Sequence, residues 1–513
     1  MSVLGKKLRN SFRKLTFVVS MPPPALTAEN QSGKIAPSLY RCGTLVYTKA
    51  GLFTLFTWML WGDFCFSLME TIWPNILPLV LKSHGAPNVL IGLVIATIPQ
   101  AMNFVLNPII STASDRYRGK RGRRIPFLLM ATPFITLFLI LMGFSRELGS
   151  LLYGLLAGLH PSLTPGIITV GLICVLIVCF RFFELFVATV FWYLFNDVVP
   201  TAFMGRFLGF FRVVGGLAGA LFNFFIFQYA ESHTSMIFLG GALLYGTAFT
   251  LMCLNVKEGE YPPPDKMSEK KGFSITVLKI FFKECFSHRI FRLVFSYSLF
   301  LGAGAAINIF MIFMAISIGL TINEVGKVAG IAAVVGMLLM FPMGVLVDKF
   351  HPLRVMMVSQ IGFCVVMLLK CVFLFYDFPK HTVFWMYAVL AGISIPVFTA
   401  NTMAALPMLM RLFPHEKFGQ FCAANAMCGA LGSVVAGVLA GVYLDTLKGL
   451  FANNGDYYYR FVPVWSFFFM MLSAGMTLLV FREWKKLGGD KSYRPPIEDK
   501  FVDFHDAPPS THS

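Results

Sequence analysis

Ser114–Phe127 reads SDRYRGKRGRRIPF, and six cations (Arg116, Arg118, Lys120, Arg121, Arg123 and Arg124) fall within nine of its residues. On either side lie long apolar runs, in a chain that is 57% hydrophobic and only 13% charged. Such a cluster can clamp a nucleic acid, anchor to anionic lipid or fix the orientation of membrane spans. The surrounding pattern has to choose among these.

A soluble protein of this composition would lack the polar surface to cover its core. Apolar runs of roughly 20 residues, enough to cross a bilayer, recur along nearly the whole chain. The sequence therefore describes an all-α polytopic membrane protein. Twelve spans can be drawn, at about 51–81, 88–113, 125–144, 166–195, 207–229, 235–255, 293–318, 323–347, 355–376, 382–410, 418–442 and 461–482. The longest loop between them carries YPPPDK and SEKK and divides the spans into two sets of six. The expected organisation is an N-terminal tail (1–49), a first six-helix bundle (50–256), a central loop (257–292), a second bundle (293–482) and a C-terminal tail (483–513). Cations near the N-terminus precede only six apolar residues, LTFVVS, too few for a signal-peptide core. That segment is expected to be a tail.

Lys and Arg in short loops set orientation. With both termini and the even-to-odd loops on one side, that side holds 33 of the 42 cations, the opposite side five and the spans four. The positive-inside rule then accounts for the net charge of +17 and makes both termini cytoplasmic. Spread through loops that hug the membrane, these cations do not point to nucleic acid. The expected location is a plasma or inner membrane, with the bilayer and a small solute as partners and a monomer as the working unit. Ten cysteines, mostly inside apolar runs and without paired spacing, act as small hydrophobes.

The two halves share a skeleton. Gly92, Pro108 and Asp115-Arg116 mark span 2 and its loop; Gly326, Pro342 and Asp348-Lys349 mark span 8 and its loop. Gly-to-Pro spacing is sixteen in both, and Pro-to-Asp is seven and then six. Agreement in spacing, ordinal and side predicts two pseudo-symmetric six-helix bundles, an arrangement suited to a carrier with a midplane site.

SDRYRGKRGRRIPF resembles the loop 2–3 signature of the major facilitator superfamily, and its GRRIPF ending is similar to the form found in sucrose–proton symporters and the related glycoside–pentoside–hexuronide cation symporters. VDKFHPLR after span 8 looks like a degraded second copy. The resemblance covers roughly 50–485 and implies a cytoplasmic gate. In it Asp115, Arg116, Arg123, Arg124, Asp348 and Lys349 would pair across the face when the carrier is open outward.

Charges inside the spans are few. One at the bilayer centre costs between about 2.5 and over 10 kcal/mol by different scales unless paired or hydrated. Span 1, TWMLWGDFCFSLMETIWPNILPLVL, places Asp63 and Glu70 seven residues apart, on one stripe of a helix. That stripe must line a cavity or meet cations. Shielding from water favours a carboxylate's protonated form and a nearby arginine its charged form. Asp63 or Glu70 is thus the expected coupling site for H⁺ or Na⁺, with a static pair to Arg181 or Arg212 as the alternative. Pro74 removes the donor to the Glu70 carbonyl and predicts a bend there.

In span 4, Arg181 and Glu184 are three apart and can pair on one helix, or, with Trp192 on the face of Arg181, bind a sugar whose ring stacks while its hydroxyls meet the charges. FWYLFNDVVPTAFMGRFLGFFR is similar to the helix 4–5 region of glycoside symporters, which would make Trp192 and Arg212 sugar contacts and put Asp197 and Arg206 in the loop. Arg212 can also snorkel to the surface. In the second half Asn308, Asn401 and Asn425 suit hydroxyl recognition, or else interhelical hydrogen bonds. Small residues in RVVGGLAGALF and CGALGSVVAGVLAGVY read as close helix packing. The chain contains no GxxxxGK[ST], HExxH or nucleophile elbow, so neither ATP-driven transport nor hydrolysis has residues to carry it.

The expectation is therefore no enzyme and no cofactor. Instead, a secondary active carrier moves a sugar or glycoside with a cation, H⁺ for preference. A nucleoside or organic-anion carrier and a non-transporting sensor are the alternatives.

Overall fold

The computed structural model describes residues 40–158, 160–161, 163–261, 275–414 and 417–496. Most of the N-terminal tail, residues 262–274 of the central loop and 497–513 of the C-terminal tail lie outside them. Among the described residues twelve helices are long and apolar enough to cross a membrane. In chain order they are α1 (Lys49–Ser83), α2 (Asn88–Arg116), α3 (Ile125–Gly143), α4 (Pro165–Val198), α5 (Thr201–Tyr229) and α6 (Thr234–Asn255), followed by α7 (Arg289–Ser317), α8 (Ile322–Phe350), α9 (Pro352–Leu374), α10 (Lys380–Leu412), α11 (Phe418–Leu450) and α12 (Ala452–Lys486). Each answers to one span of the hydropathy pattern.

Local chemistry explains many boundaries. Thr164 caps α4, its Oγ1 accepting from the Ile167 N–H, and Pro165 takes the first helical position, where no backbone donor is needed. At the start of α8, Thr321 and Glu324 form a capping box: the Glu324 N–H donates to Thr321 Oγ1 at 3.3 Å and the Thr321 N–H to Glu324 Oε2 at 2.8 Å. Pro74 and Pro78 lie inside α1, which stays helical through both. The bend expected after Glu70 therefore does not interrupt the helix.

Three features have no counterpart in the hydropathy pattern. A helix over Ser145–Leu156 follows α3. An amphipathic helix over Ile275–Cys285 carries the end of the central loop. A two-stranded antiparallel hairpin, β1 (Tyr40–Cys42) and β2 (Leu45–Tyr47), precedes α1. The hairpin seats against the first half, with the Tyr40 ring edge-on to Phe203 at 4.9 Å and the Glu260 N–H donating to Thr44 Oγ1.

The β1–β2 hairpin, the 117–124 loop and the end of α6 share one end of the molecule, called here the charged end; the opposite one is the far end. The halves meet closely toward the far end, along α2 against α11 and α5 against α8. A Cβ at Gly92 would lie 2.3 Å from the Gly437 carbonyl oxygen, and one at Gly441 would lie 2.5 Å from Val89 Cα. The backbones touch there because these positions lack side chains. On the other flank, a Cβ at Gly326 would meet the Asn223 carbonyl oxygen at 2.6 Å. The small-residue runs noted in the sequence thus pack helix on helix, and both reach the other half, Gly437 and Gly441 against α2 and Gly216 opposite Met337 of α8.

Candidate functional site

Glu70, Trp73, Arg181 and Glu184 form one cluster between α1 and α4. Arg181 Nη1 lies 2.7 Å from Glu184 Oε2 and 3.7 Å from Glu70 Oε1. Trp73 Nε1 donates to Glu70 Oε1 at 3.2 Å, and the Arg181 guanidinium sits 5.0 Å from the Trp73 ring centroid. Helical spacing brings together two pairs here: three residues separate Arg181 from Glu184, and Glu70 from Trp73, so each pair shares a face. The Glu184 side chain is only 2% exposed, against 32% for Glu70. Two carboxylates thus share one guanidinium, and the more open of them belongs to α1.

Asp63, two turns earlier on α1, stands apart from this cluster. It is buried, and its Oδ1 accepts from Ser67 Oγ at 3.3 Å. Its Oδ2 has no hydrogen-bond partner and faces Gly215 on α5, where an added Cβ would be 3.8 Å away. The common stripe of Asp63 and Glu70 therefore splits between two neighbours, α5 for one and α4 for the other. Arg212, one turn before Gly215, is exposed and lies 5.9 Å from the Trp192 ring centroid. Trp192 packs on Phe195 and Phe211.

The three amides separate. Asn401 is buried inside the second half, its Nδ2 donating to Ser359 Oγ at 3.3 Å and to Met356 Sδ at 3.0 Å, an interhelical bond. Asn425 accepts from Ser298 Oγ at 2.6 Å beside a cleft between α2, α7 and α11. Asn308 is exposed in a 3₁₀ segment, Ala306–Phe310, that interrupts α7.

At the charged end the cluster of the 117–124 loop closes on the first half. Arg123 Nη2 meets Asp197 Oδ1 at 2.6 Å, and Arg124 Nε meets Asp197 Oδ2 at 3.0 Å. Arg124 also reaches Asp115, at 2.5 Å. Glu258, just after α6, accepts the backbone N–H groups of Arg123, Arg124 and Ile125 and so caps α3 from outside. Gly122 has φ +104°, and a Cβ there would run into the Glu258 side chain at 2.5 Å, so only glycine fits this turn. Tyr261 lies 4.1 Å from the Arg123 guanidinium, while burial and the charges of Asp197 and Glu258 hold its phenol well above the ordinary range. Asp348 and Lys349, at the end of α8, join none of these contacts; Lys349 Nζ lies over the Phe350 ring. Of the residues expected to pair across the face, Asp115, Arg123 and Arg124 thus pair within the first half in this conformation.

The far end carries a polar latch that the sequence did not single out. Asp445 of α11 accepts from the Asn88 N–H at 3.1 Å, the Val89 N–H at 2.9 Å and Asn88 Nδ2 at 2.7 Å, capping α2 from the other half. Tyr459 donates to Asn88 Oδ1 at 2.7 Å, and Lys82 Nζ donates to the Tyr458 hydroxyl at 2.8 Å. Asn88, Tyr458 and Tyr459 are buried. Neither Asn88 nor Asp445 stands out, since each lies near a helix end where polar residues are ordinary.

Two matches to the family model described as Major Facilitator Superfamily span residues 59–437 and 293–502. The chain belongs to the Major Facilitator Superfamily. It is a transporter, not an enzyme. No curated protein matches the sequence. Among solved structures, a bacterial homologue of the human lysosomal transporter Spinster, inward-facing and unoccupied, is 13% identical with a TM-score of 0.60 over 85% of this chain and 97% of that one. A mutant form of the nucleoside transporter NupG is 13% identical with a TM-score of 0.59, over 83% and 100%. A D-xylose-proton symporter is 12% identical with a TM-score of 0.56, over 84% and 97%. At such identities the likeness is one of fold. A superfamily protein with twelve spans is a multi-pass membrane protein that handles small solutes.

Proposed function

We propose that this superfamily member is a secondary active carrier of the glycoside–cation symporter kind, moving a sugar or glycoside by alternating access with H⁺ as the coupled ion. The observation that carries the proposal is the sharing of Arg181 by Glu70 and Glu184. Two carboxylates and one guanidinium leave an excess negative charge at a depth where unpaired charge is expensive. Binding one proton or one Na⁺ relieves it, and releasing that cation restores it. Asp63, with a free carboxylate oxygen, is a second acceptor on the same helix. The aromatic face of Trp192 beside Arg212 supports sugar binding at the α4–α5 junction.

With both termini in the cytoplasm, as the Lys and Arg distribution favours, the sealed far end faces outward and the molecule is open inward. The loop cluster of Asp115, Arg116, Arg123 and Arg124 is then the first-half part of a gate whose other part, Asp348 and Lys349, engages in the outward-open state. The bundles 50–256 and 293–482 are the bodies that rock, joined by the 257–292 loop.

Uptake of labelled sugars into proteoliposomes under an imposed pH or Na⁺ gradient tests the proposal. Glu70→Gln is expected to lower gradient-driven accumulation more than tenfold while leaving exchange at equilibrium. If both Glu70→Gln and Asp63→Asn still accumulate solute uphill, the coupling assignment fails. One observation favours a second reading. Arg212 is exposed and forms no ion pair among the described residues, which would suit an organic anion; including an anionic solute in the panel decides.

A further inference from the structure

VDKFHPLR, the second copy of the loop motif, joins none of the ion pairs of the first half. Here α8 ends at Phe350 and α9 begins at Pro352, so His351 alone links the two helices. Its backbone stands at φ +68° and ψ +125°, and among the described residues no other non-glycine residue has a positive φ. A side chain with a Cβ seldom adopts that region, and one kept there is held by its surroundings. Two contacts hold His351. Its Nδ1 accepts from the Leu353 N–H at 3.3 Å and so caps α9, and its ring packs on the buried Trp484 of α12 with 4.7 Å between centroids. We propose that His351 is a pH switch at the charged end: neutral, it locks the α8–α9 junction in the present conformation, and protonated, it releases it.

The cap requires the neutral ring. A protonated imidazole carries N–H on both nitrogens and accepts nothing, so the Leu353 N–H loses its partner. The new charge also sits at the positive end of the α9 dipole and near two guanidiniums, Arg354 of α9 and Arg411 of α10. Asp490, after α12, is the opposing charge, and it is already paired with Arg354. On α8 itself Asp348 and Lys349 are exposed and carry opposite signs. Burial and then the two arginines hold the imidazole below its ordinary range. The cap is therefore intact above the ordinary histidine value, about 6.5, and is lost as the pH falls through the lower value of this conformation. Where the ring is freed the value returns toward the ordinary one, so acid favours the released conformation.

The first copy of the motif is built without this sensitivity. There Gly122 takes the positive φ and the carboxylate of Glu258 caps α3. Imidazole is the one side chain whose ordinary range lies close to neutrality. The second copy puts it at the joint itself. A joint of one residue has no slack, and α8 is the helix that meets α5 of the other half, at Gly326 against Asn223 and at Met337 against Gly216. A change of angle at His351 therefore moves α8 against the first half. The present conformation has a sealed far end, so its release opens that end. This regulation rests on the carrier reading above, which sets the same halves in motion.

The test compares the full chain with His351→Asn, in which an amide oxygen can still cap α9 and nothing titrates. Spin labels on the exposed Ser83 and Thr446 report the far-end distance between pH 7.5 and 5.5, without solute, by pulsed electron resonance. Acid is expected to raise the far-end-open fraction about threefold more in the wild type than in His351→Asn, the shift that linkage gives when the value differs by about half a pH unit between two conformations. Arg411→Gln leaves the cap in place and removes one flanking charge, so the midpoint is expected to move to higher pH. That variant keeps the test open should His351→Asn fail to fold. Equal responses in wild type and His351→Asn, or an unmoved midpoint in Arg411→Gln, overturn the switch. Counterflow exchange of labelled sugars at pH 7.5 reports separately on the carrier reading: its absence overturns that reading, while the label distances still decide the switch.

Discussion

The two ends of this transporter satisfy their polar groups in opposite ways. At the far end, hydrogen bonds cross from one half to the other: Asp445 to the start of α2, Tyr459 to Asn88 and Lys82 to Tyr458. At the charged end, the ion pairs of Arg123, Arg124, Arg354, Lys417 and Lys486 each stay within one half or reach only the linker helix. Bonds across the halves must break whenever the far end opens, whereas bonds within a half can persist through the cycle. The far-end latch therefore sets how readily that end opens, and the charged cluster keeps the first half in one piece.

Four substitutions would break or sharpen this contrast. Asp197→Ala removes the acceptor shared by Arg123 and Arg124, and Arg124 is only 4% exposed. The expected loss is about 3 kcal/mol of stability, seen as a lower thermal unfolding midpoint, with far-end geometry unchanged. A shift in far-end geometry would show that the cluster couples the halves after all. Asp445→Ala leaves two backbone donors and an amide without their acceptor. It should weaken the closed far end by about 2–3 kcal/mol, a roughly 30- to 150-fold shift in population. Spin labels on the exposed Ser83 and Thr446, in opposite halves, should report a longer distance by pulsed electron resonance.

Gly441→Ala tests the backbone approach itself. Its Cβ would meet Val89 Cα at 2.5 Å and the Asn88 carbonyl oxygen at 2.6 Å, so the helices must separate, at about 2 kcal/mol. The same label pair should widen, and an unchanged distance would mean that the seal lies elsewhere. Tyr459→Phe deletes one neutral hydrogen bond and should shift the population about fivefold, or about 1 kcal/mol. If it matched Asp445→Ala, the latch would be held by the tyrosines and not by the helix cap.

Legibility in the sequence follows the range of the interactions concerned. Arg181–Glu184 was visible because it repeats at helical spacing. Glu70–Arg181 was one of two pairings left open, since spans 1 and 4 both carry charge and only packing selects a partner. Asp63 and Glu70 share a helical stripe, yet Gly215 of α5 faces one and Arg181 of α4 meets the other. Glu258 gave no signal, because its ligands are backbone N–H groups whose position no side-chain pattern records. Gln100 and Asn103, which line the cleft beside Asn425, stand in an apolar run as uncharged polar residues, and nothing in their spacing sets them apart from amides that bond between helices.

Composition and span length were enough for a twelve-span membrane protein. Those properties report how each segment partitions between water and lipid, which is local to the segment. Which end is sealed, which acid meets Arg181 and which amides share a cleft are relations between helices that are remote in the chain. They depend on backbone approach at positions such as Gly92 and Gly441, and only the packed bundle sets them.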